Sequence, residues 1–199
     1  MLAVLSDRTY RHLFLAQVVA LLGTGLATMA LGLLAYDLSG DRAAMGLGTV
    51  FTIKMGAYVG IAPIAGAFAD RLPRRAMLVS LDLLCAAVAL ALFFVNEVWQ
   101  VYVLIFLLQS ASAAFTPTFQ ATIPDVLPEE DRYTRALSLS RLAYDLENII
   151  SPALAAVLLA VMSYNALFLG TVAGFVASAL LVVSVVLPSP KATEPRGVY

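Results

Sequence analysis

The chain of 199 residues is 61% hydrophobic and only 13% charged, with a formal net charge of −1 and a mean hydropathy of +0.91. Soluble domains carry about twice that share of charge, and the apolar residues here run in long blocks rather than amphipathic stripes. A soluble globular domain is therefore excluded, and without a basic tract no nucleic-acid partner is expected. Cys85 is the single cysteine, so an intrachain disulfide and a thiolate metal site are excluded; it is expected simply to pack in its apolar run. Residues 1–5 show neither a positive n-region nor a small-residue cleavage site, so no cleavable signal peptide is expected.

A helix rises about 1.5 Å per residue, and roughly 20 residues cross the hydrocarbon. Six segments qualify: 12–36, 44–69, 76–95, 99–122, 137–162 and 166–187. The expected fold is an all-α membrane protein, a six-transmembrane-helix bundle over residues 1–187. Residues 188–199, with three prolines and no apolar run, are expected to form a cytoplasmic linker or tail.

Arg8, Arg11 and the lone histidine, His12, stand at the start of span one, where His12 reads as an interfacial residue. The loop 37–42 offers only Arg42. Span two carries Lys54 about ten residues in, close to mid-depth. It also carries Gly56 and Gly60, which with Gly170 and Gly174 of span six are read as packing contacts inside the bundle. Asp82, early in span three, is expected to interact with the basic loop before it. Trp99 and Tyr102 open span four in the manner of an aromatic belt. The segment 123–136 turns from acidic to basic, and Pro124 and Pro128 are expected to prevent a continuous helix there. Arg8, Arg11, Arg71, Arg74, Arg75, Arg132, Arg135, Lys191 and Arg196 all fall on one side of the six spans. Positive-inside bias then places both termini in the cytoplasm of a multi-pass protein of the cell (inner) membrane.

Ionisable groups at bilayer depth mark either a pathway or a paired structural site. Besides Lys54, span five presents Arg141, Asp145 and Glu147. Arg141 and Asp145 are four apart and share a face, along a stripe that continues through Asn148 to Pro152. Glu147 lies about 200° from Asp145, so the two acids point into different surroundings. Two readings stay open: Lys54 and a span-five acid flank a central polar cavity, or they form a fixed ion pair within the bundle.

Between spans two and three stands Gly66-Ala67-Phe68-Ala69-Asp70-Arg71-Leu72-Pro73-Arg74-Arg75. This loop resembles the signature of the major facilitator superfamily, G-x-x-x-D-R-x-x-R-[RK], and lies where that family has it. Pro73 departs from the family's usual glycine, and a stiffer turn is expected there. Phe14-Leu15-Ala16-Gln17 through Leu22-Gly23-Thr24-Gly25 to Tyr36-Asp37-Leu38-Ser39-Gly40 is similar to first helices of the drug-exporter branch. So is Phe115-Thr116-Pro117 with Ile123-Pro124-Asp125-Val126-Leu127-Pro128. Ser151-Pro152-Ala153-Leu154-Ala155-Ala156 is a degraded form of the antiporter motif G-P-x-x-G-G, its glycines replaced.

The resemblance implies the amino-terminal six-helix half of a twelve-helix transporter. It assigns Gly66, Asp70, Arg71, Arg74 and Arg75 to a gating loop whose charges hold neighbouring helices in one state. Because first and fourth helices line the family's substrate path, Gln17, Thr24, Gln109, Ser110, Ser112 and Gln120 become candidate cavity groups beside Lys54, Asp145, Glu147 and Asn148. Helix–helix hydrogen bonding is the competing account for each. The implied function is secondary active export of small hydrophobic or amphipathic molecules, coupled to protons, by a protein embedded in the lipid bilayer. No cofactor is expected, and no G-x-x-x-x-G-K-[ST] loop supplies an ATPase. A lone half calls for a second copy, forming a homodimer, or for a missing second six-helix half. The alternative is a non-transporting assembly or regulatory subunit of the same fold. An intramembrane enzyme is not expected, because there is no G-x-S-x nucleophile site, no deep histidine and no ligand set for a metal.

Overall fold

The computed structural model describes residues 2–39, 43–69 and 72–187. Arg42, Asp70, Arg71 and the tail 188–199 lie outside the described residues. After a short 3-10 helix, Leu2–Ser6, six long helices follow: α1 Arg8–Ser39, α2 Ala43–Ala69, α3 Arg74–Leu92, α4 Val98–Val126, α5 Glu130–Leu159 and α6 Tyr164–Val183. All six are long and apolar enough to cross a membrane. In hydrocarbon every backbone N–H and C=O must be satisfied within its own segment, which is why such apolar blocks fold as helices.

Local chemistry sets the helix ends. Asp7 caps α1 by accepting the Tyr10 N–H at 2.9 Å. Pro73, at φ −59°, stands just before α3, where a missing N–H costs nothing because the first turn has no acceptor for it. The Gln100 side chain reaches back to accept the Glu97 N–H at 3.3 Å at the start of α4. Glu130 and Asp131 place negative charge in the first turn of α5, which suits the positive end of the helix dipole.

The segment 123–136 is not one continuous helix, as expected, but the break does not fall at Pro124. Pro124 does not stop α4, which runs on to Val126 and leaves residues 127–129 as the connection to α5. A proline in the last turn forfeits one backbone bond, and the residue four before it, Gln120, is exposed, so the freed carbonyl is not trapped in the core.

The helix α1 is the hub, packing most widely on α6 and also on α5, α2 and α4, while α3 packs on α6 and α4, and α2 on α4. Of the most apolar stretch of α1, 67% is buried, against 17% for α2 and 11% for α5. Those two helices therefore flank a face that this bundle leaves uncovered. The buried threonine hydroxyls are satisfied locally: Thr24, Thr28, Thr118, Thr122 and Thr171 each donate to the carbonyl four residues earlier.

The glycine pairs divide. Gly174 comes against Val19 O and Gly23 on α1, so α1 and α6 approach closely there. Gly56, Gly60 and Gly170 have no neighbour that a Cβ would meet. The expected packing role inside the bundle is absent for these three, because Gly56 and Gly60 on α2 and Gly170 on α6 lie on exposed faces of their helices.

Candidate functional site

The inner ends of the helices are tied by their charges. Arg74, buried at the start of α3, pairs through Nε with Asp125 Oδ2 at 3.2 Å near the end of α4. The Arg75 guanidinium donates to the Val183 carbonyl at the end of α6. Gly66, near the end of α2, lies against Pro117 of α4 with ordinary room for a Cβ. On the same side Tyr10 Oη donates to the Ala136 carbonyl at 3.0 Å, fastening α1 to α5. At the opposite end Tyr164 Oη donates to Asp37 at 2.8 Å and joins α6 to α1.

At mid-depth the polar side chains of α1, α2, α4 and α5 converge. Thr24 and Ser112 hydroxyls stand 3.2 Å apart, and Tyr58 Oη is 3.4 Å from the same Ser112 oxygen. Thr116 Oγ1 and Tyr144 Oη are 2.5 Å apart. These five residues line one narrow cavity with room for about one water. Lys54 stands four residues before Tyr58, on the same face of α2, and is partly buried. Glu147, on α5, interacts electrostatically with both Lys54 and Tyr58 without closing a salt bridge to Lys54. Its carboxylate and Ser151 Oγ both crowd Gly25 of α1.

Toward the outer end, α1, α2 and α5 enclose an open groove of about 380 Å³ lined by Met29, Leu33, Val50, Phe51, Ala155 and Leu159, with Thr28 and Tyr36 as its polar members. Drug-sized pockets share this make-up, an apolar wall with few polar groups.

The other residues singled out from sequence go elsewhere. Gln17 Nε2 donates to Ser140 Oγ at 2.6 Å, a buried α1–α5 bond. Gln109 is buried on α4 with Oε1 unpartnered, as is Ser110 Oγ, and Gln120 is exposed. Asn148 folds back onto the Tyr144 carbonyl at 2.9 Å. Asp145 sits 4.0 Å from Arg141 Nε, both well exposed on α5, away from Glu147 as the helical spacing requires. Asp82 does not reach the basic loop: Ser178 Oγ on α6 donates to its Oδ2 at 2.6 Å inside the core.

Sequence reasoning missed Tyr58, Tyr144 and Thr116. The signal was present, since Tyr58 follows Lys54 by four, Thr116 follows Ser112 by four, and Tyr144 precedes Glu147 by three.

Known proteins resemble this chain in sequence. The family model described as Major Facilitator Superfamily matches residues 13–198. "Macrolide efflux protein A" of Streptococcus pyogenes is 28% identical over 177 residues, covering 86% of this chain and 43% of that protein. The Enterococcus faecalis protein of the same name is 30% identical over 136 residues, covering 66% and 42%. "Uncharacterized MFS-type transporter YfiS" of Bacillus subtilis is 27% identical over 170 residues, covering 85% and 40%. The chain thus spans less than half the length of each of these relatives. With six membrane-crossing helices and a family match over nearly its whole length, the chain is a multi-pass membrane protein that belongs to the major facilitator superfamily.

Proposed function

We propose that this chain is one six-helix half of a secondary transporter that exports small hydrophobic or amphipathic molecules by alternating access, with protons as the coupling ion. The observation that carries the proposal is the open face between α2 and α5, where hydroxyls, Lys54 and Glu147 gather beside an apolar groove. A wall of this kind suits a cargo with a large apolar body and a few polar groups. The relatives named for macrolide efflux support export and a substrate of that character.

Alternating access rocks two halves around a site near mid-membrane, so a second half must close the open face. It comes from a second copy of this chain or from a distinct six-helix segment. The Arg74–Asp125 pair and the Arg75–Val183 contact hold α3, α4 and α6 together at the inner end. With Gly66, Asp70 and Arg71 they form the gating loop, and the charge asymmetry of the loops supports cytoplasmic termini in the cell membrane.

The test is uptake of a radiolabelled macrolide into acid-loaded proteoliposomes holding the protein in its assembled form. Uptake that collapses when the pH gradient is dissipated supports the proposal. Equal counts in proteoliposomes and empty liposomes reject transport and favour the assembly-subunit alternative.

A further inference from the structure

The polar cavity does not end at the open face. It reaches inward to Asp82 and Cys85 on α3, so that all six helices contribute to its wall. Asp82 lies eight residues into α3, about 12 Å along the helix and well inside the hydrocarbon. It is 1% exposed, and its one hydrogen-bond donor among the described residues is Ser178 Oγ. The titratable groups that face this cavity are Tyr58 from α2, Tyr144 from α5 and Cys85 from α3 itself. From α1, α4 and α6 come only Thr24, Ser112, Thr116 and apolar side chains. No lysine, arginine or histidine lines it, so an ionised carboxylate there has a single hydroxyl for support and no cation. A structural acid in a membrane core is expected to be paired with a cation; this one is instead placed on a water-sized cavity that leads to hydroxyls.

The geometry points to Asp82 as a proton-binding site, loaded and emptied through the cavity water and the Ser112–Tyr58 hydroxyls that lead to the open face at Glu147. The protonated carboxyl gives its proton to the cavity water. Each hydroxyl along the way accepts one proton as it donates another, so the relay returns to neutrality and the charge stays on Asp82 and the departing hydronium. Ser178 already donates to the carboxylate and holds it between α3 and α6. Gain or loss of charge at Asp82 therefore acts on the packing of α3 on α6, the two helices that Arg75 also ties together at their inner end. The use of such a site in coupling rests on the transporter reading above, whereas proton binding at Asp82 does not.

Infrared spectroscopy of the purified protein in the Glu147→Gln background tests the binding itself. The expected result is a carboxylic-acid C=O band that grows as pH falls, shifts in D2O and is missing in Asp82→Asn. Ser178→Ala, which removes a hydrogen bond to the ionised form, should move the midpoint of that band up by about one pH unit. Should Asp82→Asn fail to fold, the Ser178→Ala shift carries the test alone. A band that does not titrate, or a midpoint unmoved by Ser178→Ala, overturns the assignment. In proteoliposomes Asp82→Asn should retain downhill macrolide exchange while losing gradient-driven uptake. Absent flux in wild type with an intact band instead sinks the transporter reading and leaves the site standing.

Discussion

Gly25 stands where α1 lies tight against α5. A Cβ added there would lie 2.1 Å from Ser151 Oγ and 2.4 Å from Ser151 Cβ, with Glu147 Oε1 at 2.6 Å. The Glu147 end of that contact can swing away, but the Ser151 Cβ moves only if α5 does. Gly25→Ala should therefore destabilise the protein by about 1–3 kcal/mol through overpacking, read as a lower midpoint of thermal unfolding in detergent. Gly23→Ala is the contrast, since its Cβ would meet Phe175 and Thr171 at an ordinary 3.6 Å. It should leave stability unchanged or raise it by up to ~1 kcal/mol from helix propensity; equal losses for the two would show that close approach is not what Gly25 provides. Lys54 and Glu147 pose a different question, because neither has the geometry of a closed salt bridge. If the pair serves transport, Lys54→Ala should cut macrolide flux by about tenfold or more, the size expected for one charged hydrogen bond, while leaving the unfolding midpoint in place. A lowered midpoint with flux per folded molecule unchanged would make the pair structural.

Two ion pairs show how helix position decides what a charge is worth. Arg74 is 6% exposed and joins α3 to α4 through Asp125, at 26%, whereas Arg135 and Asp131 sit one turn apart on α5 at 48% and 77%. Asp125→Asn should lower stability by about 1.5–3 kcal/mol, the range for hydrogen bonds to charged groups. Asp131→Asn should stay within about 0.5 kcal/mol, because exposed pairs one helical turn apart contribute little. Denaturation of the two variants side by side checks this, and equal effects would mean that the Arg74 pair does not hold α3 to α4. The elements themselves were readable because bilayer thickness turns long apolar blocks into spanning helices. The Arg141–Asp145 face was readable too, because helical spacing alone decides which side chains are neighbours within one helix. Partners on other helices were not. Asp82 meets Ser178 across 96 residues of sequence, and no spacing rule connects them. Gly56 and Gly60 look in sequence like Gly174, yet only Gly174 finds a neighbour, since the pattern does not say which side of α2 faces its bundle. That the helix breaks between 123 and 136 was readable from Pro124 and Pro128, but where it breaks was not, as a proline's effect depends on how near the end of a helix it falls.

The whole bundle has one covered side and one open side. Arg141 and Asp145 lie near the middle of the 30-residue α5 and are 82% and 66% exposed. Charges at that depth are not left in lipid; they face another protein surface or a water-filled cavity. A second half laid over α2 and α5 supplies either. If that half is a second copy with the same orientation, a two-fold axis along the membrane normal passes in front of α1, the helix between the two flanks. Rotation about it brings α5 of one copy beside α2 of the other. Val59 on α2, 77% exposed, lies 16 residues from the outer end of its helix, and Leu142 on α5, 45% exposed, lies 17 residues from its own. At about 1.5 Å per residue the two sit at matching depth. A Val59→Cys/Leu142→Cys variant should therefore form a disulfide-linked dimer under mild oxidation, alongside a dimer mass for the unmodified protein in native mass spectrometry. Val186→Cys, 83% exposed just beyond α6, should not, because α6 lies away from the axis. Crosslinking at Val186 but not between α2 and α5 would place the contact on the wrong side of the bundle. A monomer that crosslinks at neither site would assign the open face to a distinct six-helix partner, and transport would then have to be sought with that partner present.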